Sequence, residues 1–262
     1  MPLVFSLLKP VRTLLFLLSC LAVFPRAEAQ GSRGLHIEYV GNMGVALVKG
    51  DTALLIDALH DLYKPGYLPS SPSFLEGLLG KQRRYQVVPA IVVSHQHNDH
   101  FDAALVHKAV AAYPHTRVLT GLQLKPLLHA GQSGHYRLAT DTVFAPLMPN
   151  LSVRLKRIPH TYQLRNGSIH NYRTEVVWNG VRIVHLGDAL MSEATLRGLK
   201  DVDVLIAPNW LFMERESVEA IERLRPKLVI LTHVSPGAEG ATYQSSSIKP
   251  VIFTAYGQKV SL

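Results

Sequence analysis

The sequence contains one cysteine, Cys20, in 262 residues. A disulfide needs two, so no internal bridge staples this chain, and only position 20 offers a thiolate as nucleophile or metal ligand. The G-x-S-x-G pattern of a serine nucleophile elbow is absent. No RNA- or DNA-binding motif is present, and no internal repeat or low-complexity segment stands out. Charged residues are few, 18% against 47% hydrophobic, which leaves material for a substantial core. Basic side chains exceed acidic ones by eight, but only Lys81, Arg83 and Arg84 stand close together. A spread surplus of this kind describes a generic basic surface, with some attraction for anions.

No apolar run is long enough to cross a bilayer comfortably. The run Thr13 to Phe24 follows the basic pair Lys9 and Arg12 and precedes Ala27-Glu28-Ala29, an A-x-A cleavage pattern. Residues 1–29 are therefore expected to be a signal peptide, and residues 30–262 a single domain, periplasmic or secreted. An uncleaved anchor, or a lipid on Cys20, are the other readings of the same segment. Cleavage after Ala29 removes the only cysteine, which suits an oxidising compartment. It also removes Lys9, Arg12, Arg26 and Glu28, leaving 24 basic and 18 acidic side chains, or +6.

The chain opens as a meander. His36–Val40, Val45–Val48 and Ala53–Ile56 read as strands, separated by turns at Gly41-Asn42-Met43-Gly44 and Lys49-Gly50-Asp51. Residues 60–85 read as a long surface excursion, partly helical. Ala90-Ile91-Val92-Val93 is a short apolar strand. Asp102 to Ala112 reads as a helix with an acidic N-cap. Arg117–Thr120 and the alternating Leu151–Lys156 are strands. Glu175–Trp178 and Val181–Val184 flank Asn179-Gly180, a two-residue hairpin signal. Asp203–Ile206 and Leu228–Leu231 are strands, and Ser217–Leu224 a helix with Ser217 as N-cap. Meanders that give way to alternating strands and helices predict sheets covered by helices.

Against this background one segment carries chemistry. His95-Gln96-His97-Asn98-Asp99-His100 packs three imidazoles and a carboxylate into six positions at a strand end. Imidazole and carboxylate are the usual ligands of zinc and several other divalent metals. The cluster exceeds what one tetrahedral ion takes from one loop, which points to two ions. His160, Asp188 and His233 each follow another strand-like run. A single histidine there would be unremarkable; the repeated placement is not, because chance would scatter such residues over helices and loops too.

Taken with Asp57 in Leu54-Leu55-Ile56-Asp57, these residues resemble the metallo-β-lactamase fold superfamily in order and spacing. The resemblance implies an α/β fold, an αββα sandwich of two mixed β-sheets flanked by helices, with metals at one edge. It implies that His95, His97 and His160 hold a first divalent ion, that Asp99, His100 and His233 hold a second, and that Asp188 bridges them. Asp99 and Asp188 are the implied catalytic residues, and Asp57 a support that orients the ligand loop. Zinc is the expected metal, with manganese or iron as alternatives. Two such ions would acidify a shared water, and the hydroxide would attack a carbonyl or phosphoryl centre of a small-molecule substrate.

Within the superfamily, His97 stands where flavodiiron oxidoreductases carry a carboxylate. Asp188 as a bridge points away from true β-lactamases. Asp99-His100-Phe101-Asp102 is similar to lactonase and phosphodiesterase-like members. The leading expectation is an exported hydrolase of an ester, lactone or phosphodiester. The alternatives are a mononuclear iron oxidoreductase like the sulfur dioxygenases, using His95 or His97 with His160 and Asp188, and a metal-binding module without catalysis. Among the remaining histidines, His36, His60, His107, His115, His129 and His135 read as surface or structural, and His185 as packing or support. His170, Asn171 and Tyr172 are candidate pocket residues. Trp210 and Phe212 are either packing or an apolar wall of the cleft.

Overall fold

In the computed structural model, residues 34–61, 65–161, 163–164, 167–234 and 247–262 are described, so the leader expected at residues 1–29 and Cys20 lie outside them. Strands β1 (Leu35–Gly41), β2 (Gly44–Lys49) and β3 (Thr52–Ile56) form the expected meander. Helix α1 (Pro72–Leu79) follows, then β4 (Ala90–Val92), α2 (Ala103–Ala112), β5 (Arg117–Gly121), two 3-10 turns, β6 (Tyr136–Ala139) and β7 (Thr142–Met148). Next come β8 (Leu151–Ile158), the short pair β9 (Gln163–Leu164) and β10 (Gly167–Ser168), β11 (Asn171–Trp178) and β12 (Val181–His185). The chain continues through α3 (Glu193–Leu196), β13 (Val204–Pro208), α4 (Arg215–Leu224), β14 (Leu228–Thr232), β15 (Val251–Ile252) and β16 (Lys259–Ser261).

These strands build two seven-stranded mixed sheets, ordered β16-β1-β2-β3-β4-β5-β6 and β15-β14-β13-β12-β11-β8-β7. Each sheet has an antiparallel half and a parallel half. Tyr39, Leu54 and Val92 of the first sheet meet Leu155, Tyr172, Val176 and Ile206 of the second in one buried cluster. The outer face of the first sheet carries Ala46 and Leu55 under Phe74 and Leu78 of α1 and Val106 and Val110 of α2. The outer face of the second carries Val184 and Leu205 against Val218 and Ile221 of α4. This is the αββα sandwich. It explains why Ala53-Leu54-Leu55-Ile56 is unbroken apolar sequence: both faces of β3 are covered. On β8 every other residue from Leu151 to Leu155 is buried, matching its alternating sequence.

Local chemistry sets most boundaries. Asp102 caps α2, its carboxylate accepting from the Leu105 N–H at 2.7 Å. Asn179 and Gly180 both take positive φ, 49° and 83°, as a two-residue hairpin of this sequence requires. Two expectations need correction. Helix α4 starts at Arg215 with Glu214 as its N-cap, so Ser217 is not the cap. Its buried hydroxyl instead donates back to Glu214 Oε2 at 3.0 Å. The 60–85 excursion is also more than surface. Ser71 caps α1, and Phe74, Leu78 and Tyr85 are buried beneath it.

Candidate metal centre

Strand direction brings the chemistry-bearing residues to one edge. Two antiparallel steps, β1 to β2 to β3, leave β1 and β3 parallel, and β4 runs with β3. Their C-terminal ends deliver Asn42, Asp57 and the Ser94–His100 segment to the same side. In the second sheet two antiparallel steps make β8 and β12 parallel, and β13 and β14 follow. Their ends deliver His160, Asp188, Trp210 and His233. His160 and Asp188 are also tied by backbone: Thr161 N–H donates to Asp188 O at 2.9 Å, and Leu190 N–H to Pro159 O at 3.0 Å.

All seven residues expected at the site converge. One group is His95, His97, His160 and Asp188; the other is Asp99, His100 and His233, with potential ligand atoms inside each group within 4.8 Å of one another. Asp188 lies between the groups. Its Oδ2 is 3.8 Å from His95 Nε2 and 3.7 Å from His160 Nε2. Its Oδ1 is 3.1 Å from His100 Nε2 and 3.8 Å from His233 Nε2. His97 turns Nδ1 toward His95 Nε2 at 2.9 Å. Asp99 Oδ2 sits 3.2 Å from His233 Nε2.

The histidine tautomers follow from the hydrogen bonds. Asp57 accepts from the Ser94 N–H at 2.7 Å and from the Ser94 hydroxyl at 2.6 Å. The single Ser94 hydroxyl proton is thereby used, so the contact from His95 Nδ1 at 3.0 Å requires the ring N–H to donate. That leaves the lone pair of His95 Nε2 facing the site. Asp57 Oδ2 likewise accepts from His100 Nδ1 at 2.8 Å and aims His100 Nε2 at Asp188. His185 orders the approach to Asp188. Its Nδ1 accepts from Gly187 N–H at 3.2 Å, so its Nε2 donates to Met43 O at 3.0 Å. Gly187, at φ 54°, is obligatory here: a Cβ would strike the Asn171 side chain and come within 2.9 Å of Ser94.

This packing also sets how the side chains influence one another's charge. Burial, then the neighbouring His100, pushes the His95 imidazole well below its ordinary value. Burial opposes charge on His100 too, but Asp188 and Asp57 outweigh it and push its value well above the usual range, so an ion on Nε2 would take the place of a proton there. Burial works to protonate Asp188; His100 and His233 overcome it and keep the carboxyl well below its ordinary value. For Asp99 the same burial is overcome by His233 and His100. The result suits cations. Asp99 Oδ1 has no hydrogen-bond partner among the described residues, and His100 Nε2 and Asp188 Oδ1 face each other without hydrogen-bond alignment. Buried donor atoms without such partners, all imidazole or carboxylate, are what a divalent ion satisfies.

Other candidates fall on both sides. Tyr172 is fully buried in the core and donates to Ala139 O and Thr140 O, so it does not line the site. Asn171 is buried behind Gly187 and donates to Leu186 O at 3.0 Å. His170 remains half-buried, its N–H on Gln123 Oε1 at 2.8 Å. Phe212 is core. Trp210 reaches the site edge-on to His233 at 4.9 Å, as does Tyr67 at 4.8 Å. A cleft of about 470 Å³ opens beside His97, lined by Gln96, Asn98, Gln123, Pro126 and Leu127. Sequence reasoning gave no role to Asn42, Ser94 or Tyr67. Ser94 adjoins the histidine cluster and could have been noticed there; the other two carry no local signal.

Comparison with known proteins agrees with this fold. Igni18, a metallo hydrolase from the hyperthermophilic archaeon Ignicoccus hospitalis KIN4/I, superposes with a TM-score of 0.61 at 18% identity, over 86% of this chain and 97% of its own. The isothiocyanate hydrolase from Delia radicum gut bacteria gives 0.59 at 13% identity, over 87% and 99%. CmlA, a diiron beta-hydroxylase from Streptomyces venezuelae, gives 0.50 at 14%, over 76% of this chain and 44% of that one. At these identities the likeness is one of fold, a metallo-hydrolase fold that also hosts an oxygenase. Residues 36–233 match the family described as the Beta-lactamase superfamily domain. With its two mixed sheets and paired histidine–aspartate clusters, the chain belongs to the beta-lactamase superfamily.

Proposed function

We propose that this protein is an exported hydrolase whose centre holds two divalent ions and cleaves a small ester, lactone or phosphodiester. The observation that carries the reading is Asp188, whose two oxygens face different histidine groups, the placement of a bridging carboxylate. His95, His97 and His160 would hold one ion, Asp99, His100 and His233 the other. The donors are imidazole and carboxylate without thiolate, a set that suits zinc, and also manganese or iron. When bound, such ions supply Lewis acidity, polarising the substrate's carbonyl or phosphoryl oxygen and lowering the pKa of water at the site.

The chain's own groups do the rest. Burial works to protonate Asp99, but His233 and His100 hold it as a carboxylate, and its Oδ1, without a hydrogen-bond partner among the described residues, would serve the second ion as a ligand atom. Asp57 and Ser94 lock the ring orientations of His95 and His100. The cleft beside His97 offers carboxamides and an apolar rim, which suits the neutral portion of a small substrate. Export rests on the leader pattern of residues 1–29.

The test is elemental analysis of the purified protein together with a chromogenic panel of lactones, esters and phosphodiesters. Two ions per chain and turnover of at least one class are expected. Fewer than one ion per chain, with no turnover after zinc or manganese loading, overturns the reading. A single iron with oxygen consumption on thiols would replace it with the oxidoreductase alternative.

A further inference from the structure

We infer that Asn42 is a positioning residue that sets Asp99 and His233 relative to each other, and so governs the affinity of the second ion. The inference rests on the two-ion reading above. Asn42 lies in the turn between β1 and β2, buried at 2% exposure. Its Nδ2 donates to Asp99 Oδ2 at 2.9 Å and approaches Asp99 O at 3.4 Å. Its own carbonyl accepts from the His233 N–H at 3.1 Å. One turn residue thus holds the side chain of one candidate ligand and the backbone of another, 134 positions apart in sequence.

Turn chemistry alone does not explain the residue type. Asn42 sits at φ 44°, a conformation that Gly and Asp also tolerate. Glycine, however, would give Asp99 no donor, and aspartate would set a second carboxylate against it. The carboxamide also carries a cost: Oδ1 is buried without a hydrogen-bond partner among the described residues. A half-satisfied amide is poor material for a turn and good material for holding a carboxylate. The same turn is stitched to the second sheet next door. Met43 O accepts from His185 Nε2 at 3.0 Å, and the Thr232 hydroxyl lies 2.8 Å from Met43 Sδ. Asn42 therefore sits on a rigid cross-sheet junction, the kind of support that fixes ligand geometry.

The experiment is cobalt(II) titration of metal-free wild type, Asn42→Gly and Asn42→Ser, followed by the d–d absorption spectrum and by calorimetry, with the melting temperature of each metal-free protein. Glycine keeps the turn and the carbonyl that holds His233; serine is too short to reach Asp99. Wild type should show two binding events. In both variants the second should weaken by about 10–100-fold with an altered spectrum, while the first stays within about twofold. The metal-free melting temperature of Asn42→Gly should change little, while that of Asn42→Ser should fall modestly from the strain of serine at φ 44°. Two unaltered events in both variants overturn the role of Asn42 and leave the two-ion reading standing. Equal weakening of both events with a lowered metal-free melting temperature of Asn42→Gly also overturns it, because the residue is then merely structural. Fewer than two events in wild type overturn the two-ion reading itself.

Discussion

The Asp57 carboxylate lies 2.8 Å from Nδ1 of His100, and both side chains are completely buried. Asp57 also takes both donors of Ser94, so one residue at the end of β3 orders the start of the histidine segment and its last member. Asp57→Asn keeps the shape but removes the charge that holds His100 Nδ1–H. Metal affinity should fall by about 10–100-fold, read by titration of the metal-free protein. Asp57→Ala leaves a buried imidazole without its partner and should destabilise by about 3–5 kcal/mol in chemical denaturation. An unchanged affinity in Asp57→Asn would remove this residue from the support of the site.

Gly187→Ala tests the close approach between the two sheets' site segments. The left-handed backbone at φ 54° and the clash with Ser94 and Asn171 both oppose a methyl group. A loss of about 1–3 kcal/mol is expected in denaturation, with reduced metal uptake because Asp188 is the next residue. Wild-type stability in Gly187→Ala would show that the segment relaxes freely.

Chelation should lower stability. Ions that bind only the folded chain stabilise it by mass action, about 2.7 kcal/mol at a free concentration one hundred times Kd. A thermal scan with and without excess chelator, then with zinc restored, checks this. Coincident melting curves would argue that the two clusters hold no ion in solution.

The pH response of the metal-free protein can be read at Glu38, away from the site. Burial opposes its charge, but Arg84, at 2.9 and 2.7 Å, and then Lys259 hold the carboxyl below its ordinary value of 4.5. A depressed carboxyl contributes stability that is present above the unfolded value and lost as pH falls through the folded one. The melting-temperature gap between wild type and Glu38→Gln should therefore be constant at pH 6 and shrink below about pH 4.5. A gap that does not narrow there would mean the ion pair adds nothing.

Much of the fold was legible because local patterns reported it. The opening meander follows its turn residues, the Asn179-Gly180 hairpin its positive-φ pair, and α2 its Asp102 cap. Ser217 misled because a serine before an apolar helical stripe looks like a cap, and only packing shows its hydroxyl turned back to Glu214. Tyr172 could not be assigned to pocket or core from sequence, because its position beside Asn171 on β11 says nothing about which face of the strand it occupies.

The sequence by itself determined the residue types at the strand ends, and with them the imidazole and carboxylate character of the candidate centre. Ligand chemistry is a property of side chains, and the H-x-H-x-D-H run is local. Only the tertiary structure decided how those ends meet. Strand direction alternates through each sheet, so which loops share an edge depends on pairing order rather than on distance along the chain. That is why Asp188 comes to lie between two histidine groups, and why Asn42, which reads as nothing but a turn, touches both Asp99 and His233.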